Sequence, residues 1–357
     1  MRNKLIISFF CVLLAVCALA WLFIPDKYYS EREKRTLTQA PKFSASDFFS
    51  GKFGDKLETY LADQVPLRDK WITLKTYLKL GIGKRESGGV YICKDKYLMD
   101  KFTSYSKKQL TANAELQKKL AEEGIFVSTM LVPVAAQVLS DKLPAYVPVA
   151  DYAAILKVLS DAGVNVTDIM SILAAHSDEA IYYRTDHHWT SLGAYYAYCT
   201  WRGIEPAADE WTKEALCNNF RGTTWNKVPL PSDPAEEITA WYNHTNRRVS
   251  YNNGEYETDS IYERKYLDGS DQYAAFLNSN QAQTVIQGSG EEGKLMLIKD
   301  SYGNTFAQFL VEDYAEVHVI DLRFFRDDIA EYAKTNGITD TLVLYGVQNF
   351  VKDTNSS

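Results

Sequence analysis

The sequence has no excess of basic charge, few cysteines, no internal repeats and no low-complexity stretches. Its 39 Lys and Arg against 46 Asp and Glu give a net charge of −7. That is the wrong sign for a protein whose main task is to neutralise phosphates, so nucleic acid is not expected as a partner. The content of 46% hydrophobic and 13% aromatic residues supplies a sizeable core and excludes a chain that is disordered throughout.

The five cysteines form no metal or redox motif. Cys11 and Cys17 lie in an apolar N-terminal segment, and Cys93, Cys199 and Cys217 show no CxxC spacing. These three would allow one disulfide, with Cys199 and Cys217 closest in sequence, but the sequence does not establish that pair.

The chain begins with an export signal. Leu5–Ile24 is a run of about twenty uncharged residues after Arg2 and Lys4, and at about 1.5 Å per residue it would span a hydrocarbon core of about 30 Å. The Ala-Leu-Ala at 18–20 resembles a cleavage site, but apolar residues continue beyond it, which favours a retained signal anchor over a secreted chain. The rest of the protein is then expected outside the cytoplasm.

Alternation of strand and helix patterns predicts the fold class. The run GIFVSTMLVP at 124–133 is of buried-strand type, and further strands are predicted at Val164–Val166, Ala180–Tyr183, Lys294–Lys299, Val317–Ile320 and Thr341–Tyr345. Helical patterns separate them, including one over 303–313. Such alternation indicates an α/β fold, a doubly wound parallel sheet with helices on both faces.

The same patterns divide the chain into segments. The predicted segments are an anchor at 1–25, a charged linker at 26–45, a helical part at 46–123 that packs on the core, an α/β domain formed by 124–204 and 294–352, an insertion at 205–293 and a tail at 353–357. The insertion is rich in Trp, Tyr and Asn and carries a β-hairpin signal at Asn253-Gly254.

The first candidate site is the run Arg-Thr-Asp-His-His-Trp-Thr at 184–190, between a predicted strand and a helix capped by Thr190. In an extended segment Asp186 and His188 project together and His187 points oppositely. A carboxylate that accepts from one ring nitrogen leaves the other nitrogen free as a base. Two alternatives remain: incidental histidines beside a packed Trp189, or zinc ligands, although no HExxH motif or further His pair accompanies them.

The second candidate is Asp300-Ser301, where the strand KLMLIK meets the following helix. A serine there exposes its hydroxyl at the edge of the sheet, with backbone amides available to an oxyanion. The alternative is a plain helix cap, and no GxSxG motif indicates an ordinary hydrolase elbow. Asn349 after the last strand and Arg323 after the strand ending at Asp321 face the same edge, each with a structural alternative.

On these residues the chain resembles the DHHW family, named for the run at Asp186–Trp189, and more distantly the alginate O-acetyltransferases of the AlgX and AlgJ type, which carry SGNH hydrolase-like domains. The resemblance also covers Ser30–Arg35, the Lys299–Tyr302 turn and Ile320–Arg323. The Asp-x-His-Trp motif of the acetyltransferases implies that Asp186 is the catalytic acid, His188 the base and Ser301 the nucleophile. The Asp-Ser pair departs from their Gly-Thr-Ser.

The resemblance implies an extracytoplasmic O-acetyltransferase that passes acetyl through an acyl-serine to an exported polysaccharide or cell-wall glycan, without cofactor or metal. A membrane-bound O-acyltransferase would be the partner that supplies acetyl. A carbohydrate esterase with the same triad and a non-catalytic glycan-binding scaffold are the alternatives.

Further residues are expected to contact the substrate. The expected oxyanion or substrate contacts are the Ser301 amide, Tyr302, Asn304, Asn349 and Arg323, with His187, Trp189 and Asp300 in supporting positions. The aromatic rings expected to stack on sugars are Trp211, Trp225, Trp241, Tyr242 and Tyr251.

Overall fold

A computed structural model of the protein describes residues 2–30, 35–230, 233–244 and 247–353. Residues 31–34 of the Ser30–Arg35 run and residues 354–357 of the predicted tail lie outside these ranges. The chain divides into two units, one of Met1–Lys84 with Asn226–Leu230 and one of Arg85–Trp225 with Pro231–Ser357.

The first unit is mainly helical. Its elements are α1 (Arg2–Phe23), β1 (Tyr29–Ser30), β2 (Arg35–Thr36), α2 (Ala45–Phe49), α3 (Lys52–Gln64) and α4 (Arg68–Gly81), with β1 and β2 antiparallel. Searched for length and hydropathy, the described part of the chain contains no helix suited to crossing a membrane. The retained anchor stays a prediction.

The connector predicted as a tether at 26–45 is fixed to α3. The Arg35 guanidinium lies 2.6 Å from the Asp63 carboxylate, and the Thr38 amide donates to the same carboxylate at 2.9 Å. The Gln64 side chain donates to the backbone carbonyls of Lys27 and Thr38, each at 3.0 Å. Because a buried carboxylate needs partners, Asp63 draws this charged stretch into the folded unit, and the hydrogen bond from Arg35 holds the pKa of Asp63 far below its ordinary value.

The second unit carries the central sheet. In chain order its elements are β3 (Glu86–Ser87), β4 (Val90–Ile92), β5 (Leu98–Asp100), α5 (Lys107–Glu122), β6 (Val127–Val132), α6 (Ala135–Val138), α7 (Tyr152–Asp161), α8 (Met170–Ala175), α9 (Ser191–Arg202), β7 (Thr212–Phe220), α10 (Thr223–Lys227), β8 (Glu236–Tyr242), β9 (Val249–Tyr251), β10 (Tyr256–Thr258), β11 (Gln283–Gln287), β12 (Lys294–Lys299), α11 (Tyr302–Leu310), β13 (Glu316–Ile320), α12 (Ile329–Asn336), β14 (Asp340–Gly346) and α13 (Val347–Phe350).

The central sheet is mixed rather than wholly parallel. Its seven strands run in the order β10-β9-β11-β13-β12-β14-β6. Strand β12 is parallel to β13 and β14, and β14 is parallel to β6, whereas β11 pairs antiparallel with β13 and with β9. The antiparallel strands all come from the segment 205–293, so this insertion extends the sheet instead of forming loops and an isolated hairpin beside it.

The hairpin predicted at Asn253-Gly254 is confirmed, since β9 and β10 pair antiparallel across it with Tyr251 opposite Tyr256. Asn253 has φ 59° and Gly254 has φ 90°, the left-handed region that Asn and Gly tolerate in tight turns. The turn signal therefore located the hairpin correctly.

Two predicted strands are reduced to single bridges. Val166 pairs with Thr129 of β6, and Tyr182 pairs antiparallel with Trp189. The second bridge turns the chain back on itself: the Tyr183 amide donates to the His188 carbonyl at 3.2 Å, and the Thr190 amide donates to the Ile181 carbonyl at 3.0 Å. The run 184–189 is thus a closed loop, not an extended segment.

The structure answers the question that the sequence left open about a disulfide. Cys93, Cys199 and Cys217 are all free, so Cys199 and Cys217 do not form a disulfide. Cys199 is buried in α9, whereas Cys217 lies half-buried in β7.

Candidate active site

Asp186, His188 and Ser301 form one hydrogen-bonded chain. His188 Nδ1 lies 2.5 Å from Asp186 Oδ1, and His188 Nε2 lies 2.7 Å from Ser301 Oγ. An ionised carboxylate accepts only, so Nδ1 carries the proton and Nε2 is the free base that faces the hydroxyl. The three residues that the sequence singled out therefore meet, although 113 positions separate the histidine from the serine.

The Asp186 carboxylate is fully engaged. Oδ1 accepts from the His188 amide at 3.0 Å as well as from the ring, and Oδ2 accepts from the Thr223 amide at 2.6 Å and the Thr223 hydroxyl at 2.9 Å. Burial by itself would raise the pKa of Asp186, but the imidazoles of His187 and His188 and the hydrogen bonds hold that pKa well below its usual range. The residue stays ionised and fixes the tautomer of His188.

The segment around Gly222 closes over this carboxylate. A Cβ at Gly222 would lie 2.1 Å from Asp186 Oδ2, closer than any side chain permits, so only glycine fits. The neighbouring Thr185 is held by Glu236, whose carboxylate accepts from the Thr185 amide at 2.9 Å and hydroxyl at 2.6 Å. Gly222, Thr223 and Glu236 were not singled out from the sequence, because they lie in the predicted insertion without any recognisable motif.

His187 does not point away from His188, as an extended segment would require. Its ring centroid lies 3.8 Å from that of His188 with the planes inclined at 37°, and its Nδ1 lies 2.6 Å from Thr223 Oγ1. The reason is the bridge between Tyr182 and Trp189, which curls the loop. Both imidazoles therefore stand on the same side of the loop.

Trp189 and Tyr302 connect the loop to α11. The indole Nε1 of buried Trp189 donates to the Tyr302 carbonyl at 3.2 Å, and the Tyr302 hydroxyl donates to the His187 carbonyl at 2.5 Å. The hydroxyl hydrogen of Tyr302 is thus used in this structure, which leaves none for an oxyanion. Thr190 caps α9 as predicted, accepting from the Gly193 amide at 3.3 Å.

Asp300 organises the turn that carries Ser301. Its Oδ1 accepts from the Tyr302 amide at 3.0 Å, and its Oδ2 accepts from the Gly346 amide at 3.0 Å and from Asn349 Nδ2 at 2.7 Å. Burial raises the pKa of Asp300, and these hydrogen bonds oppose the rise. Asp300, not Ser301, supplies the side-chain cap of α11, which leaves the serine hydroxyl to His188.

Helix α11 gives this turn a rigid base, because all nine of its residues are buried. A Cβ at Gly303 would lie 2.5 Å from the Lys299 Cβ, so the helix approaches the end of β12 closely. Ser301 itself is half-buried at the helix start with ordinary helical dihedrals, φ −61° and ψ −19°. Ser301 is therefore held by packing rather than by backbone strain.

Arg323 forms part of a buried charge group beside the turn. Its Nε and Nη2 donate to the Asp321 carboxylate at 2.8 and 2.6 Å. Lys299 Nζ lies 3.5 Å from Asp321 and donates to Asn280 Oδ1 at 3.1 Å, and burial lowers the pKa of Lys299 to about 8. Both cations are paired with Asp321, which supports the structural interpretation of Arg323.

Two groups remain as oxyanion donors, the Ser301 amide and Asn349, because the Asn304 amide nitrogen already donates to the Ser279 carbonyl and to Asn280 Oδ1. Within the described ranges no hydrogen bond engages the Ser301 amide, which sits at the start of α11 where backbone N–H groups favour negative charge. Asn304 lies one turn further on, with Nδ2 3.3 Å from the Ser279 carbonyl and a buried Oδ1 that has no partner among the described residues. Asn349 keeps one N–H beyond the one that it gives to Asp300.

Tyr273 is a further residue of the site that was not predicted from the sequence. Its ring lies parallel to the His188 imidazole, with centroids 3.9 Å apart and an angle of 7°. Its hydroxyl is hydrogen-bonded to Thr305 Oγ1 and lies 3.4 Å from the Ser301 carbonyl. One side chain therefore contacts both His188 and the helix that follows Ser301, yet nothing distinguishes it from the other tyrosines of the sequence.

The aromatic residues predicted to stack on sugars divide into two groups. Trp241 and Tyr251 are 4% and 1% exposed and belong to the core, and half-buried Trp211 packs against Phe309 at 5.1 Å. Half-buried Tyr242 packs towards Tyr262. Half-buried Trp225 is the one tied to the triad loop, because its amide donates to the Thr185 carbonyl at 2.9 Å.

The residues considered as zinc ligands already use most of their ligand atoms in hydrogen bonds. Ligand atoms of Asp186, His187 and His188 lie within 4.8 Å of one another, close enough to share an ion. Both oxygens of Asp186 and both ring nitrogens of His188 are engaged in hydrogen bonds. A metal ion would have to displace them, so the arrangement suits acid–base chemistry better than coordination.

Solved structures of two proteins show the same fold, and a third structure has a weaker likeness. A DHHW family protein from Eubacterium siraeum is 24% identical with a TM-score of 0.63, over 76% of this chain and 94% of its own. Bacillus cereus PatB1 with a sulfonyl adduct is 21% identical with a TM-score of 0.59, over 74% and 98%. The O-acetyltransferase domain of Pseudomonas putida AlgJ is 18% identical with a TM-score of 0.47, over 75% and 95%.

No curated protein matches the chain in sequence. The DHHW protein family matches residues 84–320, more than half of the chain, and the matched segment contains the Asp186–Trp189 run and Ser301. The chain belongs to the DHHW family.

Proposed function

We propose that the protein is an extracytoplasmic O-acyltransferase that moves an acetyl group through Ser301 to a hydroxyl of an exported polysaccharide or cell-wall glycan. The observation that carries the proposal is the chain of contacts from Asp186 through His188 to Ser301 Oγ. The fold shared with PatB1, which is described with a sulfonyl adduct, agrees with this assignment but does not extend it to a substrate.

The proposed reaction has two halves. In the first, His188 Nε2 takes the Ser301 proton, Oγ attacks the donor acyl carbon, the acyl–oxygen bond of the donor breaks, and the proton passes to the leaving group. In the second, Nε2 takes the proton of a sugar hydroxyl, whose oxygen attacks the acyl carbon of the acyl-serine; the bond between that carbon and Ser301 Oγ breaks, and Oγ recovers a proton from Nε2. Asp186 stabilises the imidazolium in both halves.

The charge that develops on the acyl oxygen needs donors beside Ser301. The Ser301 amide at the start of α11 is the first of these, and the remaining N–H of Asn349 is the second. Half-buried Trp225, beside the triad loop, is the aromatic residue best placed to pack against a sugar ring.

The compartment and the partner belong to the same proposal. Leu5–Ile24 is proposed as a signal anchor that holds the chain at the outer face of the membrane. Because acetyl donors of metabolism are cytoplasmic, a membrane-bound O-acyltransferase is proposed to carry acetyl across the bilayer to Ser301.

The test uses the full chain in detergent with p-nitrophenyl acetate as donor, with and without oligosaccharides. A transferase gives a nitrophenol burst, an acetyl adduct on intact protein, and acetylated sugar that increases at the expense of free acetate. An adduct that yields only acetate with every oligosaccharide supports the esterase alternative. No adduct, with wild type and Ser301→Ala indistinguishable, would overturn the proposal in favour of a glycan-binding scaffold.

A further inference from the structure

His187 has a second ring nitrogen that the triad does not use. Its Nδ1 lies 2.6 Å from Thr223 Oγ1, its side chain is 26% exposed, and no hydrogen bond within the described ranges reaches its Nε2. Its backbone carbonyl is held by the Tyr302 hydroxyl. The residue is thus fixed on one edge and open on the other.

The hydrogen bonds around Thr223 determine which nitrogen of His187 carries the proton. Asp186 accepts only, so the single hydroxyl hydrogen of Thr223 goes to Asp186 Oδ2 at 2.9 Å. Thr223 Oγ1 must then accept from His187, which places the ring proton on Nδ1. In the neutral imidazole Nε2 is therefore an acceptor.

The His187 ring lies beside the base. The Nδ1 atoms of both imidazoles are near the same oxygen, with His188 at 2.5 Å and His187 at 3.6 Å from Asp186 Oδ1, and the ring centroids are 3.8 Å apart with the planes inclined at 37°. Nε2 of His188 meets Ser301 Oγ. The half-buried His187 ring is therefore next to the imidazole that faces the serine hydroxyl, within reach of a group bound beside that hydroxyl.

We infer that His187 selects the acceptor: its Nε2 accepts a hydrogen bond from a hydroxyl adjacent to the one that is acylated, so that vicinal diols are preferred over isolated alcohols. The inference rests on the proposed function and adds the substrate class to it. The reacting hydroxyl gives its proton to His188, while its neighbour keeps its own proton and donates to His187. Pyranose rings with adjacent free hydroxyls have this arrangement.

The test compares two probe acceptors, cis-1,2-cyclohexanediol and cyclohexanol, with p-nitrophenyl acetate as donor and the full chain in detergent. The readout is the ratio of the two transfer rates per hydroxyl, a ratio within one variant that is insensitive to the active fraction. Wild type is expected to prefer the diol by about 3- to 10-fold, the range of one hydrogen bond.

Two variants separate acceptor selection from support of the loop. His187→Asn places an amide N–H where Nδ1 meets Thr223 and removes the Nε2 acceptor, so the preference is expected to disappear. His187→Gln places a carbonyl oxygen near the position of Nε2, so it is expected to retain most of the preference. A purely structural role would lower both transfer rates together and leave the ratio unchanged.

The outcomes for the two proposals are distinct. An acetyl adduct with the same ratio in wild type and His187→Asn, or with no preference in wild type, overturns the inference and leaves the proposed function intact. Absence of any adduct on wild type overturns the proposed function and the inference with it.

Discussion

Two buried aspartates flank the reactive groups, and their surroundings differ in kind. Asp186 faces two imidazoles, and its pKa is held well below the usual range in spite of burial. Asp300 accepts from amides of Tyr302, Gly346 and Asn349, and burial raises its pKa. Asp186 stays ionised and can stabilise an imidazolium at His188, whereas Asp300 holds the amides of the turn in place.

The residues that hold the Asp186 and Asp300 carboxylates in place also come from different parts of the chain. Gly346 is the last residue of β14, which lies next to β12 in the parallel part of the sheet, and Asn349 follows in α13, so Asp300 is held by the end of the neighbouring strand and the helix after it. Asp186 is held by Gly222 and Thr223, in the segment that sequence analysis treated as an insertion. The two carboxylates are therefore held by different regions, Asp186 by the insertion and Asp300 by the end of β14 and the residues after it.

The largest expected difference between the two carboxylates is in rate. Asp186→Asn turns an amide N–H towards donors and removes the partner of the imidazolium, so the burst rate with p-nitrophenyl acetate is expected to fall about 10³- to 10⁴-fold. Asp300→Asn should cost about 10- to 100-fold through displacement of Ser301. Pre-steady-state nitrophenol release measures both, and equal losses would contradict the division of roles.

A single methyl group can test the support of Asp186. Gly222→Ala would place Cβ 2.1 Å from Asp186 Oδ2, and the forced shift of the carboxylate is expected to lower the burst rate about 10²-fold. Gly81→Ala is the matched control, because its Cβ would meet nothing within 4 Å. Comparable rates in the two variants would show that this contact does not position the triad.

Removal of the Tyr273 ring, which stacks on His188, is expected to lower the rate less than either change at Asp186 or Gly222. Tyr273→Leu removes the flat surface against His188, and we expect a loss of about 10-fold in kcat/KM. Tyr273→Phe keeps the ring and loses the hydroxyl bond to Thr305, so it should cost about 1 kcal/mol of unfolding free energy with little loss of rate. Kinetics and urea unfolding of both variants test this, and a Phe variant as impaired as Leu would contradict it.

The smallest expected effects are on the pH dependence of folding stability. The contributions of the two aspartates to that stability should change with pH in opposite directions. The lowered pKa of Asp186 gives stability that is present above the unfolded value of about 3.9 and is lost as pH falls through the folded pKa. The raised pKa of Asp300 gives a contribution that is present at low pH and is lost as pH rises through the folded pKa.

Unfolding free energies of wild type and each Asn variant between about pH 7 and about pH 3 measure these contributions. Each unit of pKa shift corresponds to about 1.4 kcal/mol. The difference in unfolding free energy between wild type and Asp186→Asn should decrease on acidification, while the difference between wild type and Asp300→Asn should increase. Two differences that change in the same direction would contradict the opposite roles of the two aspartates.

The strand before Ser301 could be predicted from the sequence because its pattern depends only on adjacent residues. The run KLMLIK is continuously apolar, as a buried parallel strand must be, and β12 covers Lys294–Lys299 as predicted. The Asn253-Gly254 turn is equally local, and the hairpin lies there. Features that depend on a few adjacent residues were therefore predictable.

What was missed depends on contacts distant in sequence. Tyr273, Gly222 and Thr223 reach the triad only after the chain has folded, and no spacing rule singles them out. The direction of His187 was wrong because period-two alternation assumes an extended strand, whereas a bridge curls this loop. The antiparallel part of the sheet was missed because short apolar runs such as β11 do not reveal their partners.

The most direct test of the central claim is labelling of the full chain in detergent with phenylmethanesulfonyl fluoride, followed by intact mass and peptide mapping. The sulfonyl group should bond to Ser301 Oγ with loss of fluoride, at one group per chain. Labelling should be absent in Ser301→Ala and at least about 10³-fold slower in His188→Ala. An unlabelled wild type, or equal labelling of Ser301→Ala, would contradict a serine activated by His188.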